Sequence, residues 1–122
     1  MKQHRAEADL LYFAGDVHDI DEGNPLVLVE CKAVGKGPDA GLGQARSYAF
    51  WVKPAYYLVT DGDYLTVWNY QGGAVPDLRV CEARRSTLRE KFDDLYSILN
   101  PEAALATRQQ KIARLTGLQQ PH

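Results

Sequence analysis

The stretch Pro25-Leu-Val-Leu-Val-Glu-Cys-Lys-Ala33 decides the fold of this chain. Its continuous apolar run is typical of a buried strand, and the run leads directly into a Glu, a Cys and a Lys. Because side chains alternate across a strand, we expect Glu30 and Lys32 on one face of the sheet and Cys31 on the other, packed against the core. The pattern therefore predicts a buried strand that ends at a polar site.

A second short strand is predicted upstream, from Ala8 to Phe13, with Asp9 in its first half. A polar, turn-rich connection separates the two strands, which is typical of a hairpin with a long loop. Antiparallel pairing of the strands can bring Asp9 beside Glu30. Two neighbouring carboxylates repel each other unless a cation neutralises them, and oxygen ligands with open water positions favour Mg²⁺. We therefore predict a metal site between these two acids.

The order of these motifs resembles that of the PD-(D/E)xK nuclease superfamily. A Gln-x-x-x-Tyr motif, found in a subset of those nucleases, follows in the predicted crossover helix. The run from Arg5 through Trp68 is similar to the N-terminal nuclease domain of type I restriction endonuclease R subunits. Each motif alone is common, so the resemblance depends on their order over roughly the first 70 residues. The motifs are Ala8-Asp9-Leu10-Leu11-Tyr12, Glu30-Cys31-Lys32, Gln44-Ala45-Arg46-Ser47-Tyr48, Thr60-Asp61-Gly62 and Val67-Trp68.

The resemblance implies a Mg²⁺-dependent DNA endonuclease, with Mn²⁺ as a substitute metal. It implies that Asp9, Glu30 and the main-chain carbonyl of Cys31 hold the metal, and that Lys32 orients the attacking water or stabilises developing charge. It also implies that Gln44 helps to hold the attacking site or the DNA strand and that Tyr48 lines the same groove. The catalytic candidates are thus Asp9, Glu30, Lys32, Gln44 and Tyr48. The implied partners are DNA and the specificity and methylation subunits of a restriction complex.

Charge sets a limit on how the chain can bind DNA. The 14 basic and 16 acidic residues give a net charge of −2, so there is no overall attraction to nucleic acid. Local cations or a larger polypeptide must supply the contacts. The candidate DNA contacts are Lys36, on a loop rich in Gly and Pro, and Arg46.

The remaining sequence predicts an α/β fold, a restriction-endonuclease-like mixed sheet of about four to five strands with a crossover helix and two C-terminal helices. The crossover helix is predicted from Ala40 to Val52, with Asp39 as its N-cap. Its apolar residues recur at helical spacing and define a buried stripe. The stripe consists of Leu42, Ala45, Ala49 and Val52. Further strands are predicted at Ala55 to Thr60, Tyr64 to Tyr70 and Leu78 to Glu82.

The first C-terminal helix is predicted to begin with a capping box formed by Thr87 and Glu90. Its buried face is predicted from helical spacing to consist of Leu88, Phe92, Leu95 and Leu99.

The last helix is predicted from Pro101, with Asn100 as its N-cap, to about Thr116, and Gly117 is expected to end it. Three basic residues lie along one side, and the ordinary interpretation is a solvated face. A contact with the DNA backbone, or a linker to a following domain, is the alternative. These residues are Arg108, Lys111 and Arg114.

The length fits a single nuclease-like domain of residues 1–122, with a core of residues 5–83 and C-terminal helices within residues 86–116. Members of the similar family usually have a helix before the first strand. We find none here, and therefore expect a fragment or a truncated form, in which uncovered sheet surface makes a homodimer plausible. No apolar run long enough for a membrane and no signal peptide are found, so we expect a cytoplasmic protein without a membrane partner.

Two alternatives stay open at this point. The chain can be a catalytically inactive nuclease-fold module used for assembly or DNA contact, with Glu30 and Lys32 as a simple ion pair worth ~1 kcal/mol or less when exposed. It can also be a small interaction protein unrelated to nucleases. Metal binding that depends on Glu30 separates a nuclease from the first alternative.

Overall fold

The computed structural model describes residues 10–13, 25–33, 39, 41–73 and 75–119, without the side chains of Phe13, Leu118 and Gln119. Its elements are β1 (Leu10–Phe13), β2 (Pro25–Cys31), α1 (Leu42–Val52), β3 (Tyr56–Thr60), β4 (Tyr64–Asn69), β5 (Leu78–Arg84), α2 (Leu88–Leu99) and α3 (Pro101–Gln119). A 3₁₀ turn at Arg85–Thr87 leads from β5 into α2.

The described strands form one mixed sheet in the order β1-β2-β3-β4-β5. β2 and β3 are parallel, joined by the crossover helix α1, and the other neighbouring strands are antiparallel. The α/β fold with two C-terminal helices is therefore confirmed. In the β1/β2 pair, Leu10 lies opposite Val29.

Alternation along β2 and β3 divides the core into two layers. Leu28 and Tyr57 pack on the α1 side, where Ala45 and Ala49 are fully buried, as the helical spacing predicted. On the opposite face, Val27, Val29 and Tyr56 form a second core cluster with α2 and α3. The buried helix residues in this cluster are Leu95 and Ala104, and Ile98, Leu99 and Leu105 pack against it. Because β2 is covered on both faces, its sequence is a continuous apolar run rather than an alternating one.

Cys31 was predicted to pack against the core, and this prediction is wrong because the residue is exposed. Val29, two residues earlier on the same face, belongs to the core with Leu95 of α2. Cys31 is the last residue of β2 and lies beyond this packed layer.

In the part of the chain that the structure describes, no helix is long and apolar enough to cross a bilayer.

The predicted N-cap of α1 is wrong, whereas Thr87 is the N-cap residue of α2 as predicted but makes no capping hydrogen bond. The N-cap of α1 is Gly41, without a side-chain hydrogen bond, and Asp39 contributes only its carbonyl oxygen, 3.2 Å from the Leu42 amide. The Thr87 hydroxyl accepts a hydrogen bond from the Arg84 amide at 3.1 Å and none from an amide of α2. A 3₁₀ turn precedes α2, so the Thr87 hydroxyl is used by that turn.

The predicted buried face of α2 is only half right. Leu95 is buried and Leu99 is half-buried, whereas Leu88 and Phe92 are exposed. The Phe92 ring stacks on that of Tyr96, with ring centroids 6.0 Å apart. β5 and α3 contact this helix, and part of its apolar stripe stays uncovered by the described residues.

The start of α3 was predicted correctly and its end was not. Asn100 Oδ1 accepts a hydrogen bond from the Ala103 amide at 2.9 Å, which is the expected N-cap contact. The helix then continues through Gly117 to Gln119. A glycine inside a helix costs about 1 kcal/mol relative to alanine, which is too little to end a helix by itself.

The basic side of α3 is not a solvated face. Lys111 is only 4% exposed, and its Nζ donates hydrogen bonds to the carbonyl oxygens of Pro54 at 3.1 Å and Ala55 at 2.6 Å. Arg108 Nε donates to the carbonyl oxygen of Lys53 at 3.1 Å, whereas Arg114 is exposed. The two cations supply donors to consecutive carbonyls between α1 and β3, and buried carbonyls require such partners.

Candidate active site

Glu30 and Lys32 lie on the same face at the end of β2, as alternation predicted. Lys32 Nζ is 3.2 Å from Glu30 Oε2, and the Glu30 side chain is 5% exposed while that of Lys32 is 29% exposed. The site is therefore a buried carboxylate with a lysine that still reaches solvent. Charges in this setting interact more strongly than those of a fully exposed pair.

The first turn of α1 brings a third candidate to this pair. Lys32 Nζ donates a short hydrogen bond to Gln44 Oε1. The Lys32 amide donates to the carbonyl oxygen of Thr60 at 2.8 Å, which holds the chain beyond β2 against the end of β3. Three of the predicted catalytic residues, Glu30, Lys32 and Gln44, are thus in contact.

The other predicted site residues lie away from this contact or outside the residues that the structure describes. Tyr48 follows Gln44 by one helical turn and is half-buried against the core on the α1 side of the sheet. Arg46 lies on another side of α1, with its Nε 3.5 Å from Asp77 Oδ2. Asp9 and Lys36 lie outside the described residues.

Gly41 belongs to the site, and the sequence analysis missed it. Its φ is 82°, and a Cβ atom at this position would lie 2.7 Å from Lys32 Cε and 3.2 Å from Glu30 Cγ. A glycine in the first turn of the predicted helix was the available signal. Its missing side chain lets the start of α1 approach the Glu30–Lys32 pair.

We expect the Gly41→Ala substitution to lower the free energy of unfolding by about 1–2 kcal/mol, because an L-residue is strained at positive φ. It should also displace the Lys32 side chain, whose atoms the new methyl group would meet. Urea denaturation measures the effect. The matched control is Gly43→Ala, in the same helix, where a Cβ meets nothing within 4 Å and should add about 0.5–1 kcal/mol of stability. Equal effects of the two substitutions would contradict this role of Gly41.

The Thr60-Asp61-Gly62 motif has a structural role in the turn between β3 and β4. Asp61 is buried, and its Oδ1 accepts hydrogen bonds from the amides of Asp63 at 2.9 Å and Tyr64 at 2.8 Å. Gly62 adopts a φ of 87°, which favours glycine. This motif therefore fixes the hairpin next to the end of β3, where Thr60 contacts Lys32.

A buried polar cluster lies on the Arg46 side of α1. The Tyr57 hydroxyl donates to Asp77 Oδ2 at 2.5 Å, and the Gln71 amide donates to Asp77 Oδ1 at 2.9 Å. Burial and the hydrogen bond to Asp77 raise the pKa of Tyr57. The pKa of Arg46 is also raised, first by its hydrogen bond with Tyr57 and further by Asp77. The cluster ties the chain after β4 to β3 and α1.

The described residues contain no cluster of three or more His, Cys, Asp and Glu side chains that could hold a metal ion. At the end of β2 they offer one buried carboxylate, that of Glu30. A two-carboxylate metal site would therefore need Asp9.

The structure is thus an α/β sheet with a crossover helix. An acid and a lysine lie at the end of a strand, beneath the first turn of that helix. The chain belongs to the family described as the N terminus of the type I restriction enzyme R protein, whose model matches residues 1–77. No curated protein and no solved structure matches the chain significantly. The family match supports a role in a restriction system. β5, α2 and α3 lie outside the matched range.

Proposed function

We propose that this chain is a Mg²⁺-dependent DNA endonuclease domain of the type I restriction R-subunit type and of the PD-(D/E)xK superfamily. The observation that carries the proposal is the buried Glu30 carboxylate in contact with Lys32, which in turn contacts Gln44. Phosphodiester hydrolysis needs an acid to hold a metal and a cation near the reacting phosphate. These residues offer both groups at one strand end.

The proposed metal ligands are Glu30, Asp9 and the main-chain carbonyl of Cys31. The register that pairs Leu10 with Val29 is the one such a site needs, because Asp9 precedes Leu10 and Glu30 follows Val29 in sequence. Carboxylate and carbonyl oxygens suit Mg²⁺, and Mn²⁺ accepts the same ligands. When bound, the metal would lower the pKa of a water molecule and neutralise charge on the phosphate.

The chain's own residues would then orient the reacting groups. Lys32, held from two sides by Glu30 and Gln44, would stabilise negative charge that develops on the phosphate. Tyr48, on the same side of α1 as Gln44, would line the path of the DNA strand, and Lys36 and Arg46 would contact its backbone. With a net charge of −2, tight DNA binding would need further contacts from the specificity and methylation subunits of a restriction complex.

The metal site is tested by Mn²⁺ titration followed by electron paramagnetic resonance. We expect the wild-type chain to bind Mn²⁺ and the Glu30→Gln variant to bind at least ~10-fold more weakly, because it loses a charged ligand of similar size. The matched control is Glu82→Gln, an exposed acid on β5, which should bind as the wild type does. Equal Mn²⁺ binding by wild type and Glu30→Gln would contradict the nuclease proposal.

A second candidate function is that of a catalytically inactive module for assembly or DNA contact. It is favoured by the two side-chain partners of Lys32 within the chain, since a purely structural ion pair would have the same contacts. Such a module would bind DNA or the complex without binding Mn²⁺ at Glu30.

A homodimer also stays a prediction. Leu10 and Tyr12 on the edge strand β1 are exposed, and a second copy of the chain would cover this apolar surface.

A further inference from the structure

A groove of about 930 Å³ lies between α1, the strand β4 and the segment that follows β4. Its walls are mainly aromatic and apolar, with one cation, Arg46, and one acid, Asp77. Neither Glu30, Lys32 nor Gln44 lines it, so it is distinct from the candidate active site. The lining residues that matter here are Gly43, Arg46, Phe50, Trp68, Tyr70 and Val75.

The cation of the groove is fixed by a buried acid. Arg46 Nε faces Asp77, whose side chain is only 3% exposed and is also held by Tyr57 and by the Gln71 amide. The Arg46 side chain is itself 52% exposed. A guanidinium has five N–H donors, so it can contact Asp77 and Tyr57 and still bind an anion.

The aromatic wall is also held in place. The Trp68 indole stacks on Tyr57, with ring centroids 6.2 Å apart and planes 5° from parallel, and its Nε1 donates to Thr66 Oγ1 at 3.1 Å. Phe50, across the groove on α1, is about half exposed. A fixed, half-buried indole beside a fixed guanidinium suits a ligand that combines a flat ring with an anion, as a nucleotide does.

We propose that this groove binds an unpaired nucleotide of a DNA strand, with its base against Trp68 and Phe50 and its phosphate on Arg46. The choice of DNA rests on the nuclease function proposed above. The groove and the Glu30–Lys32 pair lie on the two flanks of α1, near its first turns. A helix with its side chains is about 10–12 Å across, which about three nucleotides of a strand can span. The groove would therefore hold the strand beside the site of cleavage.

The test uses the fluorescence of Trp68 in the complete chain. The sequence has two tryptophans, and Trp51 is 71% exposed and does not line the groove, so a Trp51→Phe background leaves Trp68 as the reporter. Titration with oligothymidylate in EDTA should quench this fluorescence. An abasic oligonucleotide of equal length, or duplex DNA, offers no free base face and should not quench it. Equal quenching by the abasic or duplex DNA, or no quenching by oligothymidylate, would overturn the proposal.

A steric variant tests whether the binding occurs in this groove. Gly43 lies in α1 on the groove wall, and a Cβ there meets nothing within 4 Å, so Gly43→Leu should fold normally and fill part of the space. We expect oligothymidylate affinity to fall about 10-fold or more, the scale of one lost base stack. Gly117→Leu in α3, with equally open surroundings and outside the groove, is the matched control. Equal affinities of the two variants would overturn the proposal.

The outcome can be separated from that of the nuclease proposal. The oligothymidylate titration is made in EDTA and Glu30 does not line the groove, so quenching does not require the metal site. Quenching without Glu30-dependent Mn²⁺ binding would leave the groove assignment standing and remove the nuclease function. Mn²⁺ binding that depends on Glu30, without quenching, would remove the groove assignment and leave the nuclease function standing.

Discussion

Replacement of Lys32 by Ala is expected to slow Mg²⁺-dependent cleavage of plasmid DNA by about 100-fold or more. Lys32 is the cation held between Glu30 and Gln44, and removing one group that stabilises transition-state charge typically costs a factor of this size. The measurement is the rate of conversion of supercoiled to nicked and linear plasmid, with and without Mg²⁺. The matched control is Lys91→Ala on α2, an exposed lysine remote from the end of β2, which should leave the rate unchanged.

The same substitution also affects stability, so the two effects must be measured separately. Without Lys32 the buried Glu30 loses a partner, and we expect the free energy of unfolding to fall by about 1–3 kcal/mol. Circular dichroism at the assay temperature checks that the variant is folded. Cleavage by a folded Lys32→Ala variant at the wild-type rate would contradict a catalytic role for this lysine. A wild type that binds DNA without cleaving it would favour the inactive module.

The second large expected effect is that Lys111 makes the free energy of unfolding depend on pH. Burial above all, together with Arg114 and Arg108, lowers the pKa of Lys111 from 10.5 to about 8, and Asp77 opposes the shift. Between these two values the unfolded chain binds a proton that the folded chain does not. The contribution of Lys111 to the free energy of unfolding therefore rises with pH in this window, by about 1.4 kcal/mol per pH unit. Below pH 8 both states are protonated and the contribution is constant.

The Lys111→Met variant isolates this effect, because methionine does not titrate. Urea unfolding is measured for wild type and variant at several pH values from 8 towards 10.5. We expect the wild type to gain stability relative to the variant across this range. Cys81, Tyr57 and Tyr70, whose pKa values burial raises, give the opposite slope in both proteins and cancel in the difference.

A variant of an exposed arginine on α2 provides the control for Lys111. Arg89→Met should leave the slope of stability against pH as it is in the wild type. Parallel stability profiles of wild type and Lys111→Met would mean that Lys111 keeps an ordinary pKa in the folded chain. A positive result would establish that α3, which lies outside the family match, is held against the segment between α1 and β3 by a buried cation.

Much of the candidate site could be predicted from the sequence, because it depends on local periodicity. Glu30 and Lys32 share a face since they are two residues apart in a strand. Gln44 lies outside the stripe of Ala45 and Ala49 that helical spacing predicted, so its side chain is not used in packing α1 on the sheet. The expected meeting of Asp9 with Glu30 stays a prediction, as do the roles of Tyr48, Lys36 and Arg46 in binding DNA.

The sequence by itself determined the elements whose partners are implied by their own pattern: the doubly buried β2, the alanine stripe of α1 and the N-cap of α3. Only the tertiary structure decided that Lys111 is buried, that Phe92 is exposed and that Gly41 contacts Lys32. The physical reason is that periodicity shows which side of an element is apolar, whereas burial depends on the shape of distant segments that meet it. A lysine side is solvated by default, and here consecutive main-chain carbonyls accept its hydrogen bonds instead.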